Sequence, residues 1–187
     1  MHGKADDKAG GRARRNREHR TEILCHPFPP LFDADSRVLI LGSFPSVKSR
    51  EQRFFYGHPQ NRFWKVMAEV VREKRHRPVN VPASIPEKRA FLLENHIALW
   101  DVIASCEITG SSDASIKTAV PTDLSPILEG ADIRAIFCNG AKAFALFEKH
   151  HAACPVAARS LPSTSPANAA WSAERLLDKW RAVGEYL

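Results

Sequence analysis

Two textures alternate along the chain: short unbroken apolar runs, and longer stretches in which apolar residues recur three and four positions apart. Val38-Leu39-Ile40-Leu41, closed by Gly42-Ser43, is the clearest of the first kind. Branched apolar residues without polar alternation predict a strand buried on both faces, as in a parallel sheet covered by helices above and below. Ile97 to Ile103, Ile133 to Cys138 and the short Val156 to Arg159 repeat the texture and predict three further strands. Of the second kind, Phe63, Val66, Met67, Val70 and Val71 fall on one helical stripe, with Trp64 beside it as core packing. Pro86 to Asn95 and Thr122 to Leu128 predict two more helices, the second capped by Thr122 or Asp123 and stopped at Gly130. Cys138 leads through Asn139-Gly140 into another helix, and a last one runs from about Ala170 to Val183, with Trp171, Leu176, Leu177 and Trp180 toward the core. Strands alternating with helices predict the α/β class: a three-layer α/β/α sandwich around a central, mainly parallel sheet of about four strands. Its polar loops then share one edge, the carboxyl ends of the strands.

Composition narrows the picture. The 187 residues suit one domain. Residues 1–20 hold Gly, Lys, Arg, Asp and His with almost nothing apolar, so they predict a flexible basic tail ahead of a single domain over 21–187. Cys25-His26-Pro27-Phe28-Pro29-Pro30-Leu31-Phe32 then predicts an extended segment lying against the domain edge. The net charge of +6 favours a polyanionic partner, because Lys and Arg gain affinity for phosphates by releasing counterions. No apolar run approaches the ~18 residues that cross a bilayer, and no secretory segment is visible, which predicts a cytoplasmic, nucleoid-associated monomer with no membrane contact. Cys25, Cys106, Cys138 and Cys154 are scattered singly, without the close pairs of zinc or iron–sulfur sites, so neither a metal nor a cofactor is expected.

The loops carry the candidate chemistry. After Gly42-Ser43-Phe44-Pro45-Ser46 the chain passes a polar stretch and presents Phe54, Phe55, Tyr56, His58 and Asn61 before a helix begins. A loop of this length in a compact domain is functional or disordered, and its aromatics argue against disorder. Asp101 lies in an apolar run, so its carboxylate must be paired; anchoring a loop and contacting a ligand fit it equally. Asn139-Gly140 places backbone N–H groups at a helix start, where they can meet an anion or a polarised base. Ser163, Thr164 and Ser165, stiffened by Pro162 and Pro166, suit phosphodiester contacts or a helix-capping turn. Neither Gly-x-Gly-x-x-Gly nor a phosphate-loop Gly-Lys-Ser/Thr occurs, which removes support for the common nucleotide-binding versions of this architecture.

Taken together, Leu41-Gly42-Ser43-Phe44-Pro45-Ser46, His58-Pro59-Gln60-Asn61-Arg62-Phe63-Trp64-Lys65-Val66, Leu99-Trp100-Asp101-Val102, Phe137-Cys138-Asn139-Gly140 and Leu161-Pro162-Ser163-Thr164-Ser165-Pro166 resemble the uracil-DNA glycosylase superfamily. Within it the chain looks most like the hypoxanthine-DNA (deoxyinosine) glycosylase family. The resemblance spans roughly Phe28 to Trp180. It implies a monofunctional DNA N-glycosylase of base-excision repair, acting on double- or single-stranded DNA that contains a deaminated base. Hypoxanthine is the first expectation and uracil a weaker one, because Phe44 stands where mismatch-type relatives carry Asn and the main uracil enzymes Asp. In the resembled family an Asn matching Asn61 assists catalysis.

The residue types suit such chemistry. A glycosylase extrudes the nucleotide, stacks and hydrogen-bonds the base, and stabilises charge as the glycosidic bond breaks. Asn61 and the Ser43 backbone are the catalytic candidates. Phe44, Phe54, Phe55, Tyr56, His58, Asn139 and Asp101 are candidates for holding the base, and Ser46, Ser163, Thr164 and Ser165 for the DNA phosphates beside it. The alternatives are a mismatch-type uracil/thymine glycosylase and a non-catalytic DNA-binding module on the same fold.

Overall fold

The computed structural model describes residues 22–108 and 117–187. The basic tail expected over residues 1–20 lies outside them.

Four apolar runs form a parallel sheet in the order β3-β2-β6-β7, with β2 at Val38–Gly42, β3 at Ile97–Asp101, β6 at Ala135–Asn139 and β7 at Ala158–Leu161. Every residue of β2 and β3 is buried, as unbroken hydrophobic runs require when helices cover both faces. Connections leave β2 toward β3 on one side and reach β6 on the other. The carboxyl ends of β2 and β6 therefore flank a topological switch point, the usual crevice of an open α/β sheet. The last two strands begin two residues later than their apolar runs suggest, at Ala135 and Ala158, because register with β2 and β6 decides where pairing starts.

A second, antiparallel sheet of order β1-β4-β5 departs from the mainly parallel pattern of the sequence reading. It comprises β1 at Glu22–Cys25, β4 at Ile103–Ile108 and β5 at Lys117–Pro121. The run from Ile97 bends at Val102, leaves the parallel sheet and continues as β4. The amides of Val102 and Ile103 donate to the carbonyls of Gly42 and Ser43, so the bend remains stitched to β2. The extended Pro27 to Phe32 segment lies along the domain edge, where Leu31 and Leu99 exchange backbone hydrogen bonds at 3.0 and 2.8 Å.

Helix α1 (Val47–Gln52) occupies part of the stretch expected as loop; α2 (Phe63–Arg75), α3 (Ile85–Glu94), α4 (Ser125–Gly130), α5 (Ala141–His150) and α6 (Ala173–Gly184) complete the order. The α2 stripe packs on α6, with Phe63 and Trp180 edge to face at 5.8 Å, and Trp64 is buried. The N-cap of α4 is Leu124 rather than the expected Thr122 or Asp123, and Gly130 is the last residue of the helix. The Thr122 hydroxyl is buried and donates to the carbonyls of Asp101 and Val102, while Asp123 Oδ1 accepts from the Ser125 amide. Trp171 precedes α6 rather than belonging to it.

Candidate active site

The carboxyl ends of β2, β3 and β6 open into a pocket of about 400 Å³. Gly42 to Ser46 form one wall and Phe55, Tyr56 and Asn61 another; Asp101 and Asn139 come from the neighbouring strands, and Ser163 to Ser165 close the rim. A larger depression of about 680 Å³ lies on the outer side of that rim between Ala141, Trp171 and Lys179, but it gathers no converging carboxylate or amide pair. The smaller pocket carries the chemistry.

The wall after β2 is built from the Ser46 cap. Its Oγ accepts from the Ser49 amide and starts α1, and the Ser49 hydroxyl accepts from the Gly57 amide, which turns the chain back to the pocket. Phe44 is buried on this wall under the Arg50 guanidinium, 5.9 Å from its ring centre. Phe55 packs edge to face on Phe28 at 4.9 Å. Tyr56 stacks on Phe63 at 3.9 Å with φ of 50°, a left-handed conformation uncommon for an aromatic residue and held here by that stacking. Burial, then the charge of Asp101, push its phenol far above the ordinary value, so Tyr56 is a neutral hydroxyl.

Asn61 holds the start of α2. Its Oδ1 accepts from the Phe63 amide at 3.0 Å, which leaves the Nδ2 hydrogens as the donors this side chain offers to the pocket. Beside it, Arg62 binds the rim loop: its backbone amide donates to the Thr164 carbonyl, and its guanidinium donates to the carbonyls of Ser165, Asn168 and Trp171. Asn139 ties the same loop to β6. Its Nδ2 donates to Thr164 Oγ1 and its Oδ1 accepts from the Thr164 amide, both at 2.9 Å. Gly140 completes the joint with φ of 107°, where a Cβ would meet the Ser163 Cβ at 3.0 Å.

Asp101 forms the floor, and the partner that satisfies it is one the sequence reading did not single out. His26 Nε2 lies 2.9 Å from Asp101 Oδ2, and His26 Nδ1 donates to the Phe28 carbonyl at 2.8 Å. Both side chains are buried, at 4% and 7% exposed, and the imidazole is enclosed by Phe28, Phe44, Phe55 and Trp100. Position 26 lies 75 residues from its partner with no local pattern to mark it; its proximity to Phe28 and Pro27 was the one available hint.

Most of the sequence candidates therefore meet at one place: Ser43, Phe44, Ser46, Phe55, Tyr56, Asn61, Asp101, Asn139, Ser163, Thr164 and Ser165 all line the pocket. Two do not. Phe54 is buried against Trp64, stacked at 6.1 Å, so its ring serves the core and offers no face to a base. His58 stays outside the lining and uses Nδ1 to accept from the Gln60 amide. Thr164 is fully buried by its pairing with Asn139, which makes it a clamp rather than a phosphate contact; Ser163 and Ser165 keep partial exposure.

A family model for the uracil DNA glycosylase superfamily matches residues 29–185, the span that builds the pocket and its sheet. The chain belongs to the uracil DNA glycosylase superfamily. That family places it among DNA N-glycosylases, hydrolases of the bond between base and deoxyribose. It is 34% identical over 158 residues to the hypoxanthine DNA glycosylase of Methanosarcina acetivorans, covering 83% of this chain and 95% of that protein. To the hypoxanthine DNA glycosylase of Methanosarcina barkeri it is 30% identical over 116 residues, covering 62% and 70%. The solution NMR structure of a proposed uracil DNA glycosylase from Methanosarcina acetivorans superimposes with a TM-score of 0.71 at 32% identity, covering 84% of this chain and 94% of that one.

Among the described residues no group of three or more His, Cys, Asp or Glu side chains is placed to hold a metal ion. Cys138 is buried in β6 beside the site, and burial, then the charge of Glu148, push its thiol up to about 12. It stays protonated and unreactive under ordinary conditions. No helix among the described residues is long and apolar enough to cross a membrane.

Proposed function

We propose that the protein removes hypoxanthine from deoxyinosine in DNA, as a monofunctional glycosylase that starts base-excision repair. The observation that carries this reading is an aromatic pocket whose floor and wall set a carboxylate, two amides and a neutral phenol around one space. Its likeness over most of its length to proteins named hypoxanthine DNA glycosylase supports the choice of base.

The flipped nucleotide enters between Phe44 and the Phe55-Tyr56 wall, where each base–aromatic contact contributes roughly 1–3 kcal/mol. The C1′–N9 bond breaks with its electron pair going to the base; water bonds to C1′ through its oxygen, and the proton it loses ends on the released base. Asn61 Nδ2 is a fixed donor for the departing base or for that water, and it needs no reorganisation as charge develops. Ser163 and Ser165, locked to the sheet by Arg62 and Asn139, meet the phosphates beside the flipped nucleotide. Phe44 leaves the β2 loop without the polar side chain that would orient water for uracil, so uracil excision is slower.

Duplexes and single strands carrying deoxyinosine, uracil, xanthine or ethenocytosine, incubated with excess protein in chelator and then treated with alkali, test the reading. Alkali-labile sites at deoxyinosine are expected. Faster release of uracil than of hypoxanthine would favour the mismatch-type alternative, and cleavage of no lesion would leave a DNA-binding module. Activity lost in chelator and restored by zinc or magnesium would overturn the expectation of metal-free chemistry.

A further inference from the structure

Asp101 is nine-tenths buried, and one of its oxygens has a use the excision chemistry above leaves open. The Phe28 carbonyl can only accept, so the His26 Nδ1 that faces it carries a hydrogen. The hydrogen bond between His26 Nε2 and Asp101 Oδ2 then contains one further proton, on one atom or the other. Wherever that proton sits, it is on the Oδ2 side of the carboxyl group. Oδ1 carries none in either state and is a permanent acceptor. Among the described residues Oδ1 receives no hydrogen bond, and the carboxyl group lines the pocket against Gly42. An acceptor that lines a pocket and takes no donor from the described residues is free to take one from a ligand.

Deamination creates such a donor. Adenine presents an amino group at C6 and a lone pair at N1; hypoxanthine presents a carbonyl at C6 and an N–H at N1. Cytosine and uracil differ in the same way at C4 and N3. An acceptor that cannot become a donor therefore pairs with the deaminated base and repels the lone pair of its parent. The other polar groups of the pocket, Asn61 Nδ2 and the Tyr56 hydroxyl, can donate to the new carbonyl.

We propose that Asp101 Oδ1, held as an acceptor by His26, binds the ring N–H that deamination creates and is the residue by which the pocket separates hypoxanthine from adenine. His26 is a positioning residue, acting through Asp101. This proposal rests on the hypoxanthine reading of the site. It does not separate hypoxanthine from guanine, whose ring edge also carries N1–H; that separation falls to whatever faces C2.

The test uses the full chain and duplexes containing uncleavable 2′-fluoro-2′-deoxyinosine or 2′-fluoro-2′-deoxyadenosine, with affinity read by fluorescence anisotropy. It is joined by single-turnover excision of deoxyinosine and of 1-methyl-2′-deoxyinosine, in which a methyl group replaces the N–H. A hydrogen bond to a charged group corresponds to roughly a 10- to 100-fold effect. Asp101→Asn, whose amide can donate as well as accept, is expected to lower the preference for inosine over adenosine by that factor. His26→Phe should do the same, and His26→Gln, which retains an N–H for Oδ2, should recover part of it. Wild-type protein should excise 1-methyl-2′-deoxyinosine at least about 10-fold more slowly than deoxyinosine. That substrate arm stands even where a variant fails to fold. An unchanged inosine preference in folded Asp101→Asn, or equal rates on the two wild-type substrates, would overturn the proposal while leaving hypoxanthine excision intact. Failure of the hypoxanthine reading shows differently, as wild-type protein that cleaves no deoxyinosine at all.

Discussion

A β-carbon on Gly42 would lie 2.1 Å from Asp101 Oδ1, well inside contact distance. Neither side can yield. Gly42 ends a strand paired on both flanks, by β3 and by β6, and Asp101 is fastened through Oδ2 to a buried histidine. Gly42→Ala should therefore push the carboxylate off His26 and reshape the floor of the pocket. Misplacing a reacting group by about 1 Å costs on the order of 10² in rate, and single-turnover excision by the Ala variant should fall by at least that much. Thermal unfolding should move down as well, because a buried carboxylate loses its partner. Wild-type kinetics in Gly42→Ala would show that the floor is not where the base sits.

Arg62 offers a test of the rim. One guanidinium serves the carbonyls of Ser165, Asn168 and Trp171, and the fork geometry of arginine allows what a single ammonium does not. Arg62→Lys should cost roughly 1.5–3 kcal/mol in urea unfolding, the range for hydrogen bonds to charged groups. Amide exchange at Ser163 to Asn168 should accelerate more than exchange in β2. Uniform acceleration across the domain would instead assign Arg62 to global stability with no particular hold on the loop.

Acid should weaken the fold through His151. Burial, the largest cause, holds its imidazole below the ordinary value of 6.5, and Nε2 is buried without a hydrogen-bond partner among the described residues. A histidine whose folded pKa is lowered binds fewer protons folded than unfolded, so stability is full at neutral pH and declines as pH falls below about 6.5. Urea midpoints at pH 7.5 and 5.5 (about two units apart, spanning that window) should differ, and His151→Gln should shrink the difference. A pH dependence unaltered in the variant would place the acid-sensitive group elsewhere.

What the sequence made legible follows from where its physical signals are local. Val38 to Leu41 and Ala135 to Cys138 are buried on both faces, so their apolar runs identify strands and, by the loops after them, the functional edge. The antiparallel sheet was hidden because the bend at Val102 falls inside the apolar run from Ile97 to Ile103, while the polar Ser105 and Glu107 break the apolar texture along β4. Helix α1 has no apolar stripe; Ser46 and Ser49 hold it through hydrogen bonds that composition does not reveal. Phe54 and Phe55 are adjacent aromatics of the same type. Only the tertiary fold sends Phe54 to Trp64 and Phe55 to the pocket. His26 meets Asp101 across 75 residues, and no periodicity encodes such a pairing.

Asn61 stands between a structural and a catalytic role, and the geometry divides its side chain between them. Oδ1 accepts from the Phe63 amide at the start of α2, while Nδ2 is the half that can donate into the pocket. Asn61→Ala removes both halves. The lost hydrogen bond to the Phe63 amide should cost about 1 kcal/mol of stability, and the lost donor on the order of 10²–10³ in single-turnover rate, with duplex affinity close to wild type. Asn61→Asp separates the two. A carboxylate still accepts from Phe63, so unfolding should return to the wild-type midpoint, yet it has no hydrogen to donate and its charge opposes a base leaving with an extra electron pair. Loss of rate in Asp equal to or greater than that in Ala, at wild-type stability, assigns Nδ2 to the departing base. Activity retained in Asp and lost in Ala assigns the side chain to water, which a carboxylate orients equally well by accepting. Should Asn61→Ala be destabilised by about 1 kcal/mol and still turn over near the wild-type rate, the side chain serves only to hold the Phe63 amide at the start of α2.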